Sequence, residues 1–223
     1  MRTLFYSIFT ISILLLSCQG NSQTHDQKKT ASQNHNITPV QTKPLNGLER
    51  AYFASGCFWC VEAIYESIKG VEEVISGYSG GHTKNPTYES SNTGRTGHAE
   101  AVEVLYNPEI ITFSSLVDVY FGSQNPTQIN GQGPDRGSQY RSIIFYQNTN
   151  QKDIIQKKKD SLSKNLNRKI AAEVMPFQKF WKAENYHQDY EKLNPYNRYI
   201  QNVSIPRLKR FQKKFPELIK NTH

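Results

Sequence analysis

Apolar and polar residues alternate along the middle of the chain in two different periods, which predict strands and helices in a regular order. A period of two, with β-branched and aromatic residues, predicts strands over residues 51–55, 71–78, 99–106 and 139–146. Apolar residues three and four apart predict a helix over residues 58–68 that ends before Gly70. The same spacing predicts a second helix that begins after a capping Thr112. The element order is therefore β-α-β-β-α-β.

This order predicts an α+β fold, a two-layer ferredoxin-like split βαβ sandwich. A helix from Thr149 and a strand around residues 171–175 are added at its C-terminal side. The connections at residues 79–98 and 122–138 are rich in Gly, Asn, Ser, Thr and Pro and are long for a compact domain. Since long loops on a rigid sheet commonly carry function, we expect both to contribute to a site.

The N-terminal residues have the pattern of a targeting segment. Residues 4–16 are mostly apolar behind Arg2, which is typical of a secretory signal and too short to span a bilayer. They end in Leu-Leu-Ser before Cys18, which resembles the lipobox of bacterial lipoproteins. Residues 1–17 are thus predicted to be a lipoprotein signal peptide and Cys18 the lipidated residue. The alternative is an ordinary signal followed by a free cysteine.

Three further segments follow Ser17. Residues 18–46 are polar, with almost no large apolar side chains, and are predicted to be a lipidated cysteine and a flexible tether. Residues 47–205 contain no internal repeat and are predicted to form one catalytic domain. Residues 206–223 form a basic tail. Its apolar spacing suits a short amphipathic helix lying on the domain, with Leu208, Phe211, Phe215 and Leu218.

The charge distribution excludes a nucleic-acid-binding domain. The chain carries 27 Lys and Arg against 19 Asp and Glu, a net charge of +8. Residues 47–205 hold equal numbers of basic and acidic side chains, so the excess lies in the two ends and provides no basic groove. A mean hydropathy of −0.67 excludes a polytopic membrane protein.

We expect a monomer in the bacterial envelope, facing the periplasm and touching the membrane only through its lipid anchor.

Two cysteines, Cys57 and Cys60, mark the point where the first predicted strand becomes the first helix. A thiol at a helix N-terminus faces unpaired N–H groups, which favour the thiolate and lower its pKa, so Cys57 is the candidate nucleophile. Cys60 lies one helical turn later, at a separation compatible with a disulfide, and is the candidate resolving cysteine. A structural disulfide, a zinc site and a pair of inert buried cysteines are the alternatives.

A carboxylate candidate lies on the third predicted strand. Alternation places Glu100 on the same side as Val102 and Val104, whereas Glu103 faces the other way. Glu100 therefore lies at the mouth of the more apolar face, where loss of water raises the pKa of a carboxyl group toward neutrality. A proton donor that works at neutral pH needs such a pKa. The alternative is an ordinary carboxylate at the edge of the sheet.

Four motifs in order give the chain a resemblance to a known family. The chain is similar to the A-type peptide-methionine sulfoxide reductases over about residues 51–196. The motifs that carry the resemblance are Gly56-Cys57-Phe58-Trp59, Asn85-Pro86-Thr87-Tyr88, Thr96-Gly97-His98-Ala99-Glu100 and Asp135-Arg136-Gly137-Ser138-Gln139-Tyr140-Arg141-Ser142. The function it implies is thiol-dependent reduction of methionine sulfoxide, free or in proteins, to methionine. By resemblance the substrate is the S epimer, and the enzyme would repair oxidised envelope proteins.

The resemblance also implies roles for single residues. Cys57 would attack the sulfoxide sulfur and Glu100 would protonate its oxygen. Tyr88 and Tyr140 would hydrogen-bond that oxygen or its water, and Asp135 would hold the substrate backbone. An apolar wall for the S-methyl group would come from Phe58 and Trp59. Part of Phe58 would also fill the core.

The chain departs from many family members in its recycling cysteine. It has Cys60 after the Trp and no cysteine beyond it, whereas many relatives have Gly there and resolving cysteines in a C-terminal tail. The sulfenic acid on Cys57 would be resolved by Cys60, or by an external thiol directly. A thioredoxin-like electron donor is expected, with no metal and no cofactor.

Two other functions fit parts of the sequence. A secreted Cys-X-X-Cys at a helix start is also typical of a thioredoxin-like disulfide exchanger, but that fold would leave Glu100 and the two long loops without roles. A non-catalytic lipoprotein that binds a partner through a tyrosine-rich surface is the other alternative, since the chain has 13 tyrosines.

Overall fold

The structure is a computed structural model that describes residues 37–220. The predicted signal peptide, the lipidation residue Cys18 and the first part of the predicted tether lie outside the described residues. Among the residues described, no helix is both long enough and apolar enough to cross a bilayer.

The described residues alternate between strands and helices along the chain. The strands are β1 (Glu49–Ala54), β2 (Val71–Ser79), β3 (Ala99–Tyr106), β4 (Gly131–Gln132), β5 (Asp135–Arg136), β6 (Ile143–Tyr146), β7 (Glu173–Pro176) and β8 (Phe180–Lys182). The α-helices are α1 (Phe58–Glu66), α2 (Tyr88–Asn92), α3 (Phe113–Gly122), α4 (Thr149–Leu166), α5 (Tyr190–Leu193) and α6 (Ile205–Lys214).

Six of these strands form one sheet in the order β7-β6-β1-β3-β2-β8. Its central four strands pair antiparallel, with β3 between β1 and β2 and with β6 beside β1. This arrangement, with α1 and α3 as the crossover helices, is the split βαβ sandwich, so the predicted fold class is confirmed. At the edges, β7 is added parallel to β6 and β8 antiparallel to β2.

The main core lies between one face of the sheet and the helices. Alternate residues of β1 separate the two faces: Phe53 joins the main core with α1 and α3, whereas Tyr52 belongs to a smaller cluster on the other face. There Tyr52 stacks on Phe177 with ring centroids 3.8 Å apart. The predicted cap of α3 is confirmed, because the Thr112 side chain accepts a hydrogen bond from Ser115 N.

One predicted strand is partly wrong. Only Ile143–Tyr146 of the predicted strand over 139–146 pairs in the sheet, while Ser138–Tyr140 form a 3₁₀ turn. The Arg141 guanidinium stabilises this turn, since it donates hydrogen bonds to Ser138 O at 2.9 Å and to Gly97 O at 2.9 Å. The turn brings the two long loops together. The predicted strand over 171–175 is displaced slightly, to Glu173–Pro176.

Both ends of the described chain pack on the domain. Val40 N donates to Phe177 O at 2.8 Å, so the last part of the predicted tether follows the domain surface. In the predicted basic tail, the expected amphipathic helix is present as α6 (Ile205–Lys214), and it buries Phe211 in the main core. The same helix carries Arg207, whose guanidinium bonds to the chain just before Cys57.

Candidate active site

Cys57 lies at the N-cap position of α1, directly after a tight turn that leaves β1. Gly56 forms this turn with a φ of +83°, in the region that favours glycine. A Cβ atom at Gly56 would also lie only 2.6 Å from Cβ of Gln132, which belongs to the second long loop. Glycine is therefore required both for the turn and for the close approach of this loop to Cys57.

Glu100 reaches the same helix start from β3. Its side chain is buried, and its Oε2 atom accepts a hydrogen bond from Phe58 N at 2.9 Å. The carboxyl group is thus bound to the first amide of α1, beside Cys57. Burial raises the pKa of Glu100 to about 8. At neutral pH Glu100 carries a proton that it can donate, as the sequence predicted.

Glu103 faces the opposite side of the sheet, which confirms the predicted strand register. Its Oε1 atom accepts a hydrogen bond from the Tyr52 hydroxyl at 2.6 Å and lies 3.5 Å from Arg50 Nε. Two carboxylates three residues apart therefore occupy different environments, and only Glu100 adjoins the cysteines.

The pKa of Cys57 differs from the sequence expectation. Burial raises it well above the ordinary thiol value, and the hydrogen bond between the Cys57 and Cys60 sulfurs acts in the same direction. The helix N-terminus was expected to lower it, but Glu100 takes the first N–H of α1 in place of the thiol. In the reduced protein Cys57 therefore carries its proton, and the expectation of a low pKa was wrong.

Cys60 has the opposite electrostatic environment. It is buried one turn later on α1, and both cysteines are free thiols in this structure. A hydrogen bond from Cys57 and the positive charge of Arg207 lower the pKa of Cys60 to about 6. Its Sγ atom lies 3.6 Å from the Tyr199 hydroxyl. Cys60 is therefore placed beside Cys57 and favoured as a thiolate.

The two predicted tyrosines come to the site from the two loops. Tyr88 begins α2, and its N–H donates to Glu184 Oε1 at 3.0 Å. Tyr140 ends the 3₁₀ turn described above. Burial raises the pKa of both hydroxyls. The phenols thus remain protonated at neutral pH, so they can donate hydrogen bonds in the region of Glu100 and Cys57.

The two aromatic residues after Cys57 differ in exposure. Phe58 is completely buried, with its ring 4.9 Å from the ring of His187 and 6.3 Å from that of Tyr88. Trp59 is only partly buried; it stacks on Tyr190 at 3.8 Å and donates from Nε1 to His187 Nδ1 at 3.1 Å. Trp59 therefore presents apolar surface, whereas Phe58 supports the rings behind it.

Asp135 lies in the ribbon formed by β4 and β5 and is partly buried. Its Oδ2 atom accepts a hydrogen bond from the Tyr199 hydroxyl at 2.7 Å, and the same hydroxyl lies beside Cys60. Burial raises the pKa of the Asp135 carboxyl from its usual value. The structure thus brings every predicted site residue of the domain to the region around the start of α1.

Four residues of this region were not predicted from the sequence. Glu184 accepts hydrogen bonds from Tyr88 N and from the Tyr78 hydroxyl, so it ties the first loop to β2. Burial lowers the pKa of His187, which is therefore neutral and positions Trp59 through Nδ1. The other two are Tyr199 and Arg207.

Three of these residues follow β8, where the sequence has no clear period, and Arg207 lies on α6, whose apolar spacing predicts a helix but no role for this charged residue. Glu184 and His187 lie at a short 3₁₀ turn, Asn185–His187, and Tyr199 lies at the start of the helical turn Ile200–Ser204 that leads into α6. Hydrogen bonds join His187 and Tyr199 to distant residues. Arg207 donates to Ser55 Oγ at 2.8 Å, across 152 positions of the chain. The only signal that could have drawn attention to them is the density of His, Tyr and Asn after Lys182.

Residues 37–220 contain no cluster of three or more His, Cys, Asp or Glu side chains that could hold a metal ion.

Comparison with known proteins identifies relatives of this chain. A family model described as peptide methionine sulfoxide reductase matches residues 49–219. The peptide methionine sulfoxide reductase MsrA of Pasteurella multocida is 47% identical over 172 residues, covering 77% of this chain and 99% of that protein. That of Saccharolobus solfataricus is 43% identical over 173 residues, covering 78% and 98%. The solved methionine sulfoxide reductase A of Corynebacterium diphtheriae matches with a TM-score of 0.62 at 33% identity, covering 71% of this chain and 86% of that one.

Proposed function

The chain belongs to the peptide methionine sulfoxide reductase family and reduces methionine sulfoxide with thiols, and we propose that Cys57 is its nucleophile and Cys60 its resolving cysteine. The observation that carries this proposal is the joint position of Cys57, Cys60 and a protonated Glu100 at the start of α1. Membership of the family removes the disulfide exchanger and the non-catalytic binding protein as alternative functions.

In the proposed first step, the Cys57 sulfur attacks the sulfur of methionine sulfoxide. The Glu100 carboxyl gives its proton to the sulfoxide oxygen, and the proton of the Cys57 thiol replaces it on Glu100. Transfer of the oxygen to Cys57 then leaves methionine and a Cys57 sulfenic acid, so the sulfoxide is reduced and the cysteine oxidised by two electrons. A protonated Cys57 fits this scheme, since its proton is released only as the attack proceeds.

Four side chains are proposed to hold the substrate during this step. The hydroxyls of Tyr88 and Tyr140 hydrogen-bond the oxygen, as their protonated state and proximity to Glu100 allow. Trp59 contacts the S-methyl group, and Phe58 acts from behind it as a core residue. Asp135 is proposed to bind the substrate backbone, which requires that it exchange its hydrogen bond with the Tyr199 hydroxyl.

In the proposed second step, the Cys60 thiolate attacks the sulfenic sulfur of Cys57. A disulfide forms, and the hydroxyl group leaves as water with one proton. A dithiol donor of the thioredoxin type then reduces the disulfide, and its own two thiols become a disulfide. We also propose that the enzyme is specific for the S epimer and acts on both free and protein-bound methionine sulfoxide. Its proposed state is monomeric.

The test of this proposal is mass spectrometry of the reduced protein after one exposure to a methyl sulfoxide. The expected result is one methionine-type product per protein and a peptide pair linked between Cys57 and Cys60. A product formed with no such link, and with the Cys57 sulfenic acid persisting in the wild-type protein, would contradict the role of Cys60.

We also propose that the enzyme is lipidated at Cys18 and held in the bacterial envelope, where it repairs oxidised envelope proteins. The support is the lipobox-like sequence before Cys18 and the polar segment that follows. Cys18→Ala should shift the protein from the membrane to the soluble fraction, while the purified domain keeps its turnover. Recovery of wild-type mature protein without lipid in the periplasm would contradict this assignment.

A further inference from the structure

A cavity of about 770 Å³ lies against Cys60. Its wall includes Cys60 and Asp135, together with residues 122–125 and 132–135 of the second loop and one side of α6, but it includes neither Cys57 nor Glu100. Cavities of this volume commonly bind small molecules. The cavity therefore offers an approach to Cys60 that is separate from the proposed sulfoxide pocket around Trp59 and Tyr88.

The charge of this cavity is positive. Three cations of α6 line it, Arg207, Arg210 and Lys214, and Asp135 is its one acidic lining residue. None of the three cations forms an ion pair with an Asp or Glu side chain within residues 37–220. Arg210 and Lys214 are exposed, so both are available to a ligand. The distribution favours a ligand with negative charge.

From these observations we propose that the cavity binds a small thiol that carries carboxylate groups, and that this thiol reduces the Cys57–Cys60 disulfide at Cys60. The proposal rests on the disulfide proposed above. The carboxylates contact Arg210 and Lys214 at the open side, and the sulfur reaches Cys60 in the wall. The volume of the cavity suits a small molecule, so this thiol is a second reductant beside the thioredoxin-type donor proposed above.

The chemistry balances with two molecules of the thiol. The first thiolate attacks Sγ of Cys60, a mixed disulfide forms there, and the electron pair of the broken bond passes to Cys57 Sγ, which takes the proton of Glu100. A second thiolate attacks the sulfur of the bound thiol and releases Cys60 as a thiolate. Two thiols are oxidised to one small disulfide, and the enzyme disulfide is reduced to two cysteines.

The experiment measures the reverse reaction at Cys60 alone, in a full-length Cys57→Ser background. Oxidised glutathione is the anionic probe, since glutathione is a tripeptide thiol with two carboxylates, and 2-hydroxyethyl disulfide is the neutral probe. Mass spectrometry follows formation of the mixed disulfide on Cys60. Arg210→Gln with Lys214→Gln should slow the reaction with oxidised glutathione by about tenfold and leave the neutral probe unchanged.

Two other basic residues of α6 provide a matched control. Lys209 and Lys213 lie on the same helix but do not line the cavity. Lys209→Gln with Lys213→Gln removes the same charge and should leave the rate with oxidised glutathione unchanged. In the wild-type enzyme, the cavity variant should raise KM for glutathione as reductant and leave kcat and turnover with dithiothreitol unaltered.

Several outcomes would overturn the cavity proposal. The first is that the cavity variant and the unaltered protein react with oxidised glutathione at equal rates. The second is that the control pair slows this reaction as much as the cavity variant does. The third is that the cavity variant slows the neutral probe as much as the anionic one. Each leaves the proposed roles of Cys57 and Cys60 intact, because those rest on the disulfide in the wild-type enzyme. Failure to find that disulfide would instead contradict the proposed recycling, whereas a charge-selective adduct at Cys60 would still support the binding site.

Discussion

The two cysteines lie one helical turn apart, yet their surroundings have opposite character. Around Cys57 are a protonated buried carboxyl and aromatic side chains, Glu100 and Trp59 among them. Around Cys60 are the cationic Arg207, the Tyr199 hydroxyl and a polar cavity. A single turn of α1 therefore separates the region suited to a neutral, weakly polar sulfoxide from one suited to charged groups.

This difference assigns the proton and the negative charge to different sulfur atoms. Burial raises the pKa of Cys57, whereas a hydrogen bond and a nearby cation lower that of Cys60. Before reaction the proton lies on Cys57, next to the carboxyl that takes part in proton transfer. Cys60 is already favoured as the thiolate that attacks the sulfenic acid. The resting protein therefore already has the protonation state that each of the two proposed steps requires.

The strongest test of the Cys57 region is Cys57→Ser. A hydroxyl at this position is neither as nucleophilic nor as polarisable as a thiol, so methionine formation from methionine sulfoxide should be abolished. The measurement is methionine released in a single turnover, with dithiothreitol present to exclude any defect in recycling. Circular dichroism should show an unchanged fold. Methionine formation at the wild-type rate would move the nucleophile to another residue.

The second test compares the two carboxylates of β3. Glu100→Gln keeps the size and the hydrogen bond from Phe58 N but removes the proton donor, so the single-turnover rate should fall by about 10² to 10⁴. Glu103→Gln is the matched control. It alters a contact with Tyr52 on the opposite face and should leave the rate within about twofold, although stability falls slightly. Equal losses in both variants would contradict the assignment of Glu100.

The contrast between Glu100 and Glu103 could be predicted from the sequence because strand alternation is a local rule. β3 follows it from Ala99 to Tyr106 as predicted. The two cysteines were placed correctly for the same reason, since a strand ends and a helix begins within a few residues of Cys57.

What the sequence did not predict depends on contacts between distant residues. The sign of the Cys57 pKa shift follows from complete burial and from the position of Glu100, which only the folded chain brings there. Arg207 reaches Ser55 across 152 positions of the chain, and Tyr199 reaches Asp135 across 64 positions. No period marks such contacts, so the whole environment of Cys60 had to come from the structure.

The third test concerns recycling and examines the role of Cys60 separately from that of Cys57. Cys60→Ser should still release one equivalent of methionine, because the Cys57 region is unchanged, but multiple turnover with a thioredoxin-type donor should fall by about tenfold or more. The sulfenic acid on Cys57 should be trapped by dimedone and detected by mass spectrometry. Dithiothreitol should partly restore turnover. Full turnover with the protein donor would make Cys60 a packing residue only.

The smallest expected effect is a pH dependence that separates two buried carboxyls of equal pKa. Burial raises the pKa of Glu62, as of Glu100, to about 8, but Glu62 is bound by Ser76 and by Asp189 N rather than by the start of α1. Both groups are protonated in the fold at neutral pH. Since their folded pKa is raised above that of the unfolded chain, both stabilise the fold less as pH rises from about 4.3 through 8.

Only Glu100 should link this titration to the reaction. The single-turnover rate of the wild-type enzyme should fall about tenfold between pH 7 and pH 9, since about a tenth of Glu100 keeps its proton at the higher pH. Glu62→Gln should retain this decline and lose only part of the pH dependence of the free energy of unfolding. Glu100→Gln should be slow and almost independent of pH over the same interval. Stopped-flow rates and urea unfolding at each pH measure the two quantities separately, and a pH-dependent decline that persists in Glu100→Gln would assign the proton to another group.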